Sequence, residues 1–174
     1  MLKVFVTSWR SYATHGSAMG RWMTLPMDSA QFENFLESLR TSLNEEEPEW
    51  AITDYEWEPG HDFGRIDEYA DLEELNDLMN ELEYLSDDDK KLIESILEVD
   101  GGSLRDAVDN RDNYTLWDGY TLELVAESII KDSYEHVDIP QVFWDYFDFA
   151  GYAENELAYA GYEVCGYGVL ETCR

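Results

Sequence analysis

Two long stretches of the chain carry acidic residues with no Lys or Arg among them. Residues 66–89 hold 11 acids, and residues 132–173 hold 9. The whole chain of 174 residues has 40 Asp and Glu against 11 Lys and Arg, a net charge of −29 at pH 7. Such a chain repels itself when compact, and it repels nucleic acid and anionic membranes while attracting basic surfaces. The charge therefore predicts a basic partner; a surface that serves only solubility or a salt-adapted cell is the alternative.

The apolar residues are numerous enough for a folded core despite the charge. Hydrophobic residues make up 44% of the chain and aromatic residues 14%, whereas acidic disordered chains are poor in aromatics. We expect neither a membrane span nor a signal peptide, because no long apolar run is present. Cys165 and Cys173 form neither a disulfide framework nor a metal-binding spacing, so a reducing cytoplasm is the expected compartment.

Residues 1–64 are predicted to form an N-terminal α+β domain. The segments KVFVTSW, GRWMTLP and WAITDYEWE have strand character. Asp28 is placed to cap a helix over residues 29–41. A small antiparallel sheet with one helix across it fits this order of elements.

Residues 65–112 are predicted to form a helical acidic domain. Glu73, Asp77 and Glu81 recur every four residues, although like charges at that spacing cost a few tenths of a kcal/mol each. Ser86 is expected to cap a second helix, and SLRDAVDN a short third one. The first helix of this domain has one apolar stripe, which consists of Leu72, Leu75, Leu78, Met79 and Leu82.

Residues 113–174 are predicted to form a C-terminal α+β domain. Thr121 is placed to cap a helix, and Pro140 suits the first turn of a further helix that Gly151 interrupts. The tail YEVCGYGVLETC has strand character. The fold class expected for the whole chain is therefore α+β, with about three small domains.

Motifs of catalysis, cofactor binding and metal binding are missing from the sequence. His15, His61 and His136 lie far apart, and no zinc-protease, P-loop or nucleophile-elbow motif is present. We therefore expect no enzyme, no catalytic residue, no cofactor and no metal. A hydrolase that uses a pair of carboxylates is the alternative from a different functional class.

Two or three acidic helix faces side by side would reach a charge density comparable with that of DNA, although one such face alone is sparser than a DNA strand. Duplex DNA presents one negative charge per ~1.7 Å of axis, so 29 net charges correspond to roughly 50 Å of duplex. Acids four residues apart on a helix lie about 6 Å apart. We therefore predict that the acids form a distributed surface that mimics DNA. Its expected members are Asp67, Glu68, Asp71, Glu73, Glu74, Asp77, Glu81, Glu83, Asp87, Asp88, Asp89, Asp112, Asp118, Glu123, Glu127, Asp132, Glu135 and Asp138.

The segment FWDYFDFAGYAENEL, residues 143–157, combines six aromatic and four acidic residues without a base. We interpret its aromatic residues as a dimer interface and its acids as phosphate substitutes at the rim. An ordinary amphipathic helix in the core of a single chain is the alternative. The residues concerned are Phe143, Trp144, Asp145, Tyr146, Phe147, Asp148, Phe149, Tyr152, Glu154 and Glu156.

The chain resembles the ArdA antirestriction family of mobile elements and phages. The resemblance is carried by VFVTSWRSY, GRWMTLP, WAITDYEWE and VFWDYFDFAGYAENEL. The last segment is similar to the family's antirestriction motif, Y-F-D-Y-E-x-Y. Tyr146, Phe147, Asp148 and Tyr152 match it, while Ala150 stands for the usual Glu and a Phe replaces the second Tyr.

This resemblance implies an elongated DNA mimic of about three small domains that associates as a homodimer. It implies inhibition of type I restriction-modification enzymes in the bacterial cytoplasm, through binding to their DNA-recognition part. It also implies that residues 143–156 contribute to dimer formation and antirestriction. An acidic decoy for another DNA-binding protein, such as a CRISPR effector, another defence enzyme or a nucleoid protein, is the alternative.

Overall fold

A three-stranded antiparallel sheet lies in each of the two units into which the chain divides. The computed structural model describes residues 1–173, and the units are Met1–Ser86 and Asp87–Arg174. Helices accompany both sheets, so the predicted α+β class is confirmed. The division into three domains at 64/65 and 112/113 stays a prediction.

The sheet of the first unit follows the three predicted segments. Strand β1 spans Leu2–Ser8, β2 spans Arg21–Leu25 and β3 spans Trp50–Trp57, in the order β2-β1-β3. Side chains of a strand alternate between two faces, and apolar residues occupy the buried one. The fully buried apolar residues of β1 and β2 are Leu2, Val4, Val6, Met23 and Leu25.

Three helices complete the first unit. Helix α1 spans Trp9–His15, α2 spans Ser29–Leu43 and α3 spans Leu72–Tyr84. The side chain of Asp28 accepts a hydrogen bond from the Gln31 amide at 2.9 Å, so the predicted cap of α2 is confirmed. Each of the other two helices also begins at a capping side chain.

The second unit combines helices with a small sheet, of which one strand precedes the last three α-helices and two strands follow them. The strands are β4, Tyr114–Asp118, β5, Tyr162–Cys165, and β6, Gly168–Thr172, in the order β4-β6-β5. The helices are α4, Asp87–Val99, α5, Leu104–Asn110, α6, Leu122–Ser133, α7, Gln141–Asp145, and α8, Phe149–Asn155.

The core of the second unit joins α6 and α8 to the sheet. Its central buried residues are Val125, Ala126, Ala153, Leu157 and Val169. Aromatic rings of neighbouring elements pack around this cluster and are themselves half-buried. The segment 143–157 is therefore anchored to the core by part of its length.

The expected interruption at Gly151 is wrong. Gly151 lies inside α8, and the helical path breaks before it, at Tyr146–Asp148. The Asp148 carboxylate accepts a hydrogen bond from the Gly151 amide at 2.8 Å and thereby starts the new helix. A glycine suits this position, because a Cβ there would collide with that carboxylate.

Candidate acidic binding surface

Helix α3 presents carboxylates on the side opposite its buried face. Glu73, Glu74, Asp77 and Glu83 are exposed, and Glu81 is half-buried. Since residues four apart on a helix are separated by about 6 Å, Glu73, Asp77 and Glu81 form a row of closely spaced charges. The buried side of the helix consists of Leu72, Leu75, Asn76, Leu78, Met79 and Leu82.

Two polar contacts fix the position of this row. The Asp71 carboxylate accepts hydrogen bonds from the amides of Glu73 and Glu74 at 2.9 and 3.0 Å, so it starts the helix as an N-cap. Asn76 exchanges two hydrogen bonds with the backbone of Met27, which directly follows Pro26 at the end of β2. Asp71 is thus both an exposed charge and a structural residue.

Acids also gather at the start of helix α4. Asp87 and Asp88 are exposed and Asp89 is half-buried, and a helix N-terminus favours negative charge. The Lys91 ammonium donates to the Asp118 carboxylate at 2.6 Å. That hydrogen bond, followed by the charges of Asp118, Asp88 and Asp87, raises the pKa of Lys91 despite some desolvation.

Most of the predicted acids lie at the surface. Of the 18 residues, Glu81, Asp89 and Glu127 are half-buried and the other fifteen are exposed. Glu127 pairs with Lys131 along helix α6. Among the fifteen exposed acids, Asp118 alone forms an ion pair with another described residue.

The net negative charge of the chain is divided almost equally between the two units. Residues 1–86 contain 19 acids and 5 bases, a net charge of −14, and residues 87–174 contain 21 acids and 6 bases, a net charge of −15. Each unit therefore carries a comparable excess of negative charge. The exposed part beyond α4 comprises Asp112, Asp118, Glu123, Asp132, Glu135 and Asp138, and the part before α3 comprises Asp67 and Glu68.

The inner aromatic residues of segment 143–157 pack against the core of their own chain. Phe149 and Tyr152 are half-buried against the cluster of α6, α8 and β6. The ring centroid of Phe147 lies 4.7 Å from that of Phe149 and 6.3 Å from that of Tyr152. The half-buried Trp144 stacks more loosely on Phe149, at 6.5 Å.

The outer aromatic residues of the same segment face outward. Phe143, Tyr146 and Phe147 are 65%, 85% and 40% exposed. The structure thus divides the segment, because part of it packs in the chain's own core and part forms an exposed aromatic surface. The acids of the segment, Asp145, Asp148, Glu154 and Glu156, are all exposed.

A separate set of acids accepts hydrogen bonds from tyrosines in the second unit. The Tyr167 hydroxyl donates to Glu94 at 2.5 Å, and Tyr162 donates to Glu171 at 2.7 Å. The hydrogen bond to Glu94, with burial and the charge of that carboxylate, raises the pKa of Tyr167 to about 12. Burial, followed by the bond to Glu171, raises the pKa of Tyr162. Glu94 and Glu171 therefore stabilise the fold and are not part of the exposed acidic surface.

The exposed face of the first sheet carries residues that the sequence interpretation did not single out. Trp22, Phe5 and Asp54 lie side by side on β2, β1 and β3. The alternation of side chains along a strand could have placed each of them on an exposed face, but only the pairing of the three strands brings them together. A cavity of about 530 Å³ opens beside them.

The described residues offer few other features of a functional site. Within residues 1–173, no group of three or more His, Cys, Asp or Glu side chains is arranged to hold a metal ion. In the same range, no helix combines the length and apolar character needed to cross a membrane. Cys165 is buried and Cys173 is exposed, and both are free thiols.

An α+β fold with exposed carboxylates on both units defines a highly acidic α+β protein. Comparison with protein families identifies the family: the model described as Antirestriction protein (ArdA) matches residues 4–171. The chain therefore belongs to the ArdA antirestriction family, as its resemblance predicted, and membership implies an antirestriction function. A search of curated proteins finds no match.

Proposed function

We propose that this protein is a DNA mimic that inhibits type I restriction-modification enzymes by occupying their DNA-binding groove. The observation that carries the proposal is the exposure of fifteen predicted acids, of which one forms an ion pair within the described residues. A groove that binds DNA presents Lys and Arg to phosphates. Unpaired carboxylates at a similar density can form ion pairs with the same Lys and Arg side chains.

The proposed binding is electrostatic and distributed over many groups. Each exposed charge pair contributes little by itself, about 0 to 1 kcal/mol. The affinity therefore arises from many weak pairs and from the release of counterions, so it falls steeply as salt rises. This activity is binding in the cytoplasm of a bacterial host, and it needs neither catalysis nor a cofactor.

We further propose that two copies associate through the outer aromatic residues of segment 143–157. Phe143, Tyr146 and Phe147 form an exposed aromatic surface, and Val142 beside them is 55% exposed. Aromatic residues are enriched at interfaces because they bury a large area with few rotatable bonds. Asp145 and the acids that follow would then lie at the rim of this interface.

A competition measurement tests the inhibitor proposal. A purified type I methyltransferase is bound to labelled cognate duplex, and this protein is titrated in at low and at raised salt. We expect displacement of the duplex near one dimer per enzyme, with a midpoint that rises strongly with salt. Absence of displacement at every salt concentration would reject the type I target and favour another DNA-binding protein as the partner.

Charge variants test whether the surface is distributed. The single variant Asp77→Asn is expected to displace the duplex almost as well as the wild type. The triple variant Glu73→Gln, Asp77→Asn, Glu83→Gln removes three exposed charges of α3 and is expected to weaken displacement severalfold and to lower its salt dependence. Total loss of activity from Asp77→Asn alone would contradict a distributed mimic.

A further inference from the structure

The exposed face of the first sheet holds one carboxylate beside two aromatic rings. Phe5 lies opposite Trp22 on one side and opposite Asp54 on the other. The rings of Phe5 and Trp22 meet edge to face, with centroids 5.4 Å apart and planes at 74°. Trp22 is 43% exposed, so its ring remains accessible on the side of Phe5 opposite the carboxylate.

A cavity of about 530 Å³ is built around this row. It is also lined by Tyr12 of α1, which is 41% exposed, and by Gly16 and Ser17 of the 3-10 turn Gly16–Met19. Thr53 also lines the cavity, at the point where the register between β1 and β3 shifts and leaves this residue without a partner in β1. The Thr53 hydroxyl oxygen is buried and has no hydrogen-bond partner among residues 1–173.

The charge of the cavity is unbalanced. Asp54 accepts a hydrogen bond from the adjacent Tyr55 amide at 2.9 Å, and it forms no ion pair with another described residue. No Lys or Arg is among the described residues that line the cavity. Arg65 lines a neighbouring depression of about 200 Å³ without pairing with Asp54.

We propose that this cavity receives one arginine side chain of a protein partner. A guanidinium group is planar and weakly hydrated, so it can stack on Trp22 while two of its N–H groups donate to the Asp54 carboxylate. A lysine ammonium lacks both the plane and the fork of donors, and an uncharged side chain would leave Asp54 unpaired.

This inference rests on the proposed function for the identity of the partner. It adds to that function one contact of defined orientation between the protein and its partner. Carboxylates on helices attract basic side chains without selecting one of them. An aromatic cavity with a single carboxylate holds one guanidinium in one orientation, which sets the register of the complex. We therefore expect Asp54 to matter more than the other exposed acids.

The cavity is tested first with a small probe and the intact protein. N-acetyl-arginine amide is titrated, and the indole N–H signal of Trp22 is followed by NMR, with Trp22→Phe to assign it. We expect a saturable shift, a weaker response to N-acetyl-lysine amide, and an affinity about three- to fivefold lower in Asp54→Asn. Glu56→Gln is the matched control, because it removes one charge from the same strand outside the cavity and should respond as the wild type does.

Three results with the probe would overturn the inference. These are an unmoved Trp22 signal, an equal response to the lysine amide, and equal affinities in Asp54→Asn and Glu56→Gln. Circular dichroism and thermal melts of the two variants verify that each is folded before the affinities are compared.

The second test uses the competition between this protein and labelled duplex on the methyltransferase. Asp54→Asn is expected to need a severalfold higher concentration for displacement than Glu56→Gln. Equal displacement by these two variants would overturn the use of the cavity in that complex. Failure of the wild type to displace the duplex would reject the proposed function, while the arginine probe would still decide whether the cavity binds a guanidinium.

Discussion

Asn76 and Met27 exchange two hydrogen bonds that connect the acidic helix α3 to the segment that follows β2. The Met27 amide donates to the Asn76 side-chain oxygen at 2.8 Å, and the Asn76 amide group donates to the Met27 carbonyl at 3.0 Å. Asn76 is 7% exposed, and it lies among apolar residues on the buried side of its helix. A polar side chain in that position serves to orient the helix and its row of carboxylates.

We expect Asn76→Ala to lower the free energy of unfolding by about 1 to 3 kcal/mol, because two backbone groups of Met27 lose their partners. Urea unfolding measures this change. Asn80→Ala is the matched control on the same helix and is expected to change stability by no more than about 0.5 kcal/mol. Equal effects of the two substitutions would show that the pair with Met27 contributes nothing specific.

Asp148 allows its structural and electrostatic contributions to be separated. Its carboxylate accepts from the Gly151 amide at the start of α8, and Asn caps helices about as well as Asp does. Asp148→Asn is therefore expected to keep the melting temperature within a few degrees, whereas Asp148→Ala costs about 0.5 to 2 kcal/mol. Thermal melts and the duplex competition are measured for both.

If Asp148 contributes to binding mainly as one charge among many, Asp148→Asn displaces the duplex nearly as well as the wild type. A large loss of displacement in Asp148→Asn with an unchanged melting temperature would instead assign this carboxylate a specific contact with the partner.

Local patterns in the sequence were sufficient for the helices with a clear apolar stripe. The stripe of α3 and the capping residue Asp28 of α2 each depend on residues close together in the chain, and both predictions are confirmed. The same holds for the cap of α6, where Thr121 accepts from the Leu124 amide at 3.3 Å. The strand character of three short segments likewise identified the three strands of the first sheet.

Elements that depend on distant parts of the chain were missed. Strand β4, which pairs with β6 so that Thr115 lies opposite Glu171, was missed although Tyr114, Thr115 and Trp117 are residue types that favour strands. Helix α1 begins at Trp9, which the sequence had placed at the end of the first strand, because the buried Ser8 side chain caps it. The row of Trp22, Phe5 and Asp54 required the pairing of three strands, which no local pattern provides.

The exposure of single acids was only partly predictable. Charge density indicated an acidic surface, and fifteen of the eighteen acids are exposed. The sequence could not show that Glu94 is buried and accepts from Tyr167, because 73 residues separate the two. It also could not show that Asp71 and Asp148 double as helix caps in a surface of otherwise similar carboxylates.

The pair of Tyr167 and Glu94 predicts a loss of stability at alkaline pH. The pKa of Tyr167 is raised to about 12 in the folded protein, above the value of about 10 for an unfolded tyrosine. Its contribution to stability is therefore fully present below about pH 10 and is lost as the pH rises toward about 12. Between about pH 9 and about pH 11, we expect the free energy of unfolding to decrease less in Tyr167→Phe than in the wild type.

Tyr159→Phe is the control for this measurement, because Tyr159 is 86% exposed and its substitution should leave the pH dependence unchanged. Tyr162 and Tyr114 also have raised pKa values, so some alkaline sensitivity remains in Tyr167→Phe. A pH dependence identical in Tyr167→Phe and in the wild type would exclude a contribution of the pair with Glu94.

The division of segment 143–157 predicts that its inner aromatic residues determine stability and its outer aromatic residues determine dimer affinity. Phe149→Ala removes a half-buried ring from the core of α6 and α8 and is expected to lower stability by about 2 to 4 kcal/mol. Tyr146→Ala removes a ring that is 85% exposed, so the stability of this variant as a monomer should change by no more than about 0.5 kcal/mol.

If the outer rings form the dimer interface, Tyr146→Ala raises the dissociation constant of the dimer, which sedimentation equilibrium measures at several protein concentrations. Tyr159→Ala is the matched control, an equally exposed tyrosine outside the segment. A dimer of unchanged affinity in both Tyr146→Ala and Phe143→Ala would place the interface elsewhere, because an interface built on these rings cannot lose them without losing affinity.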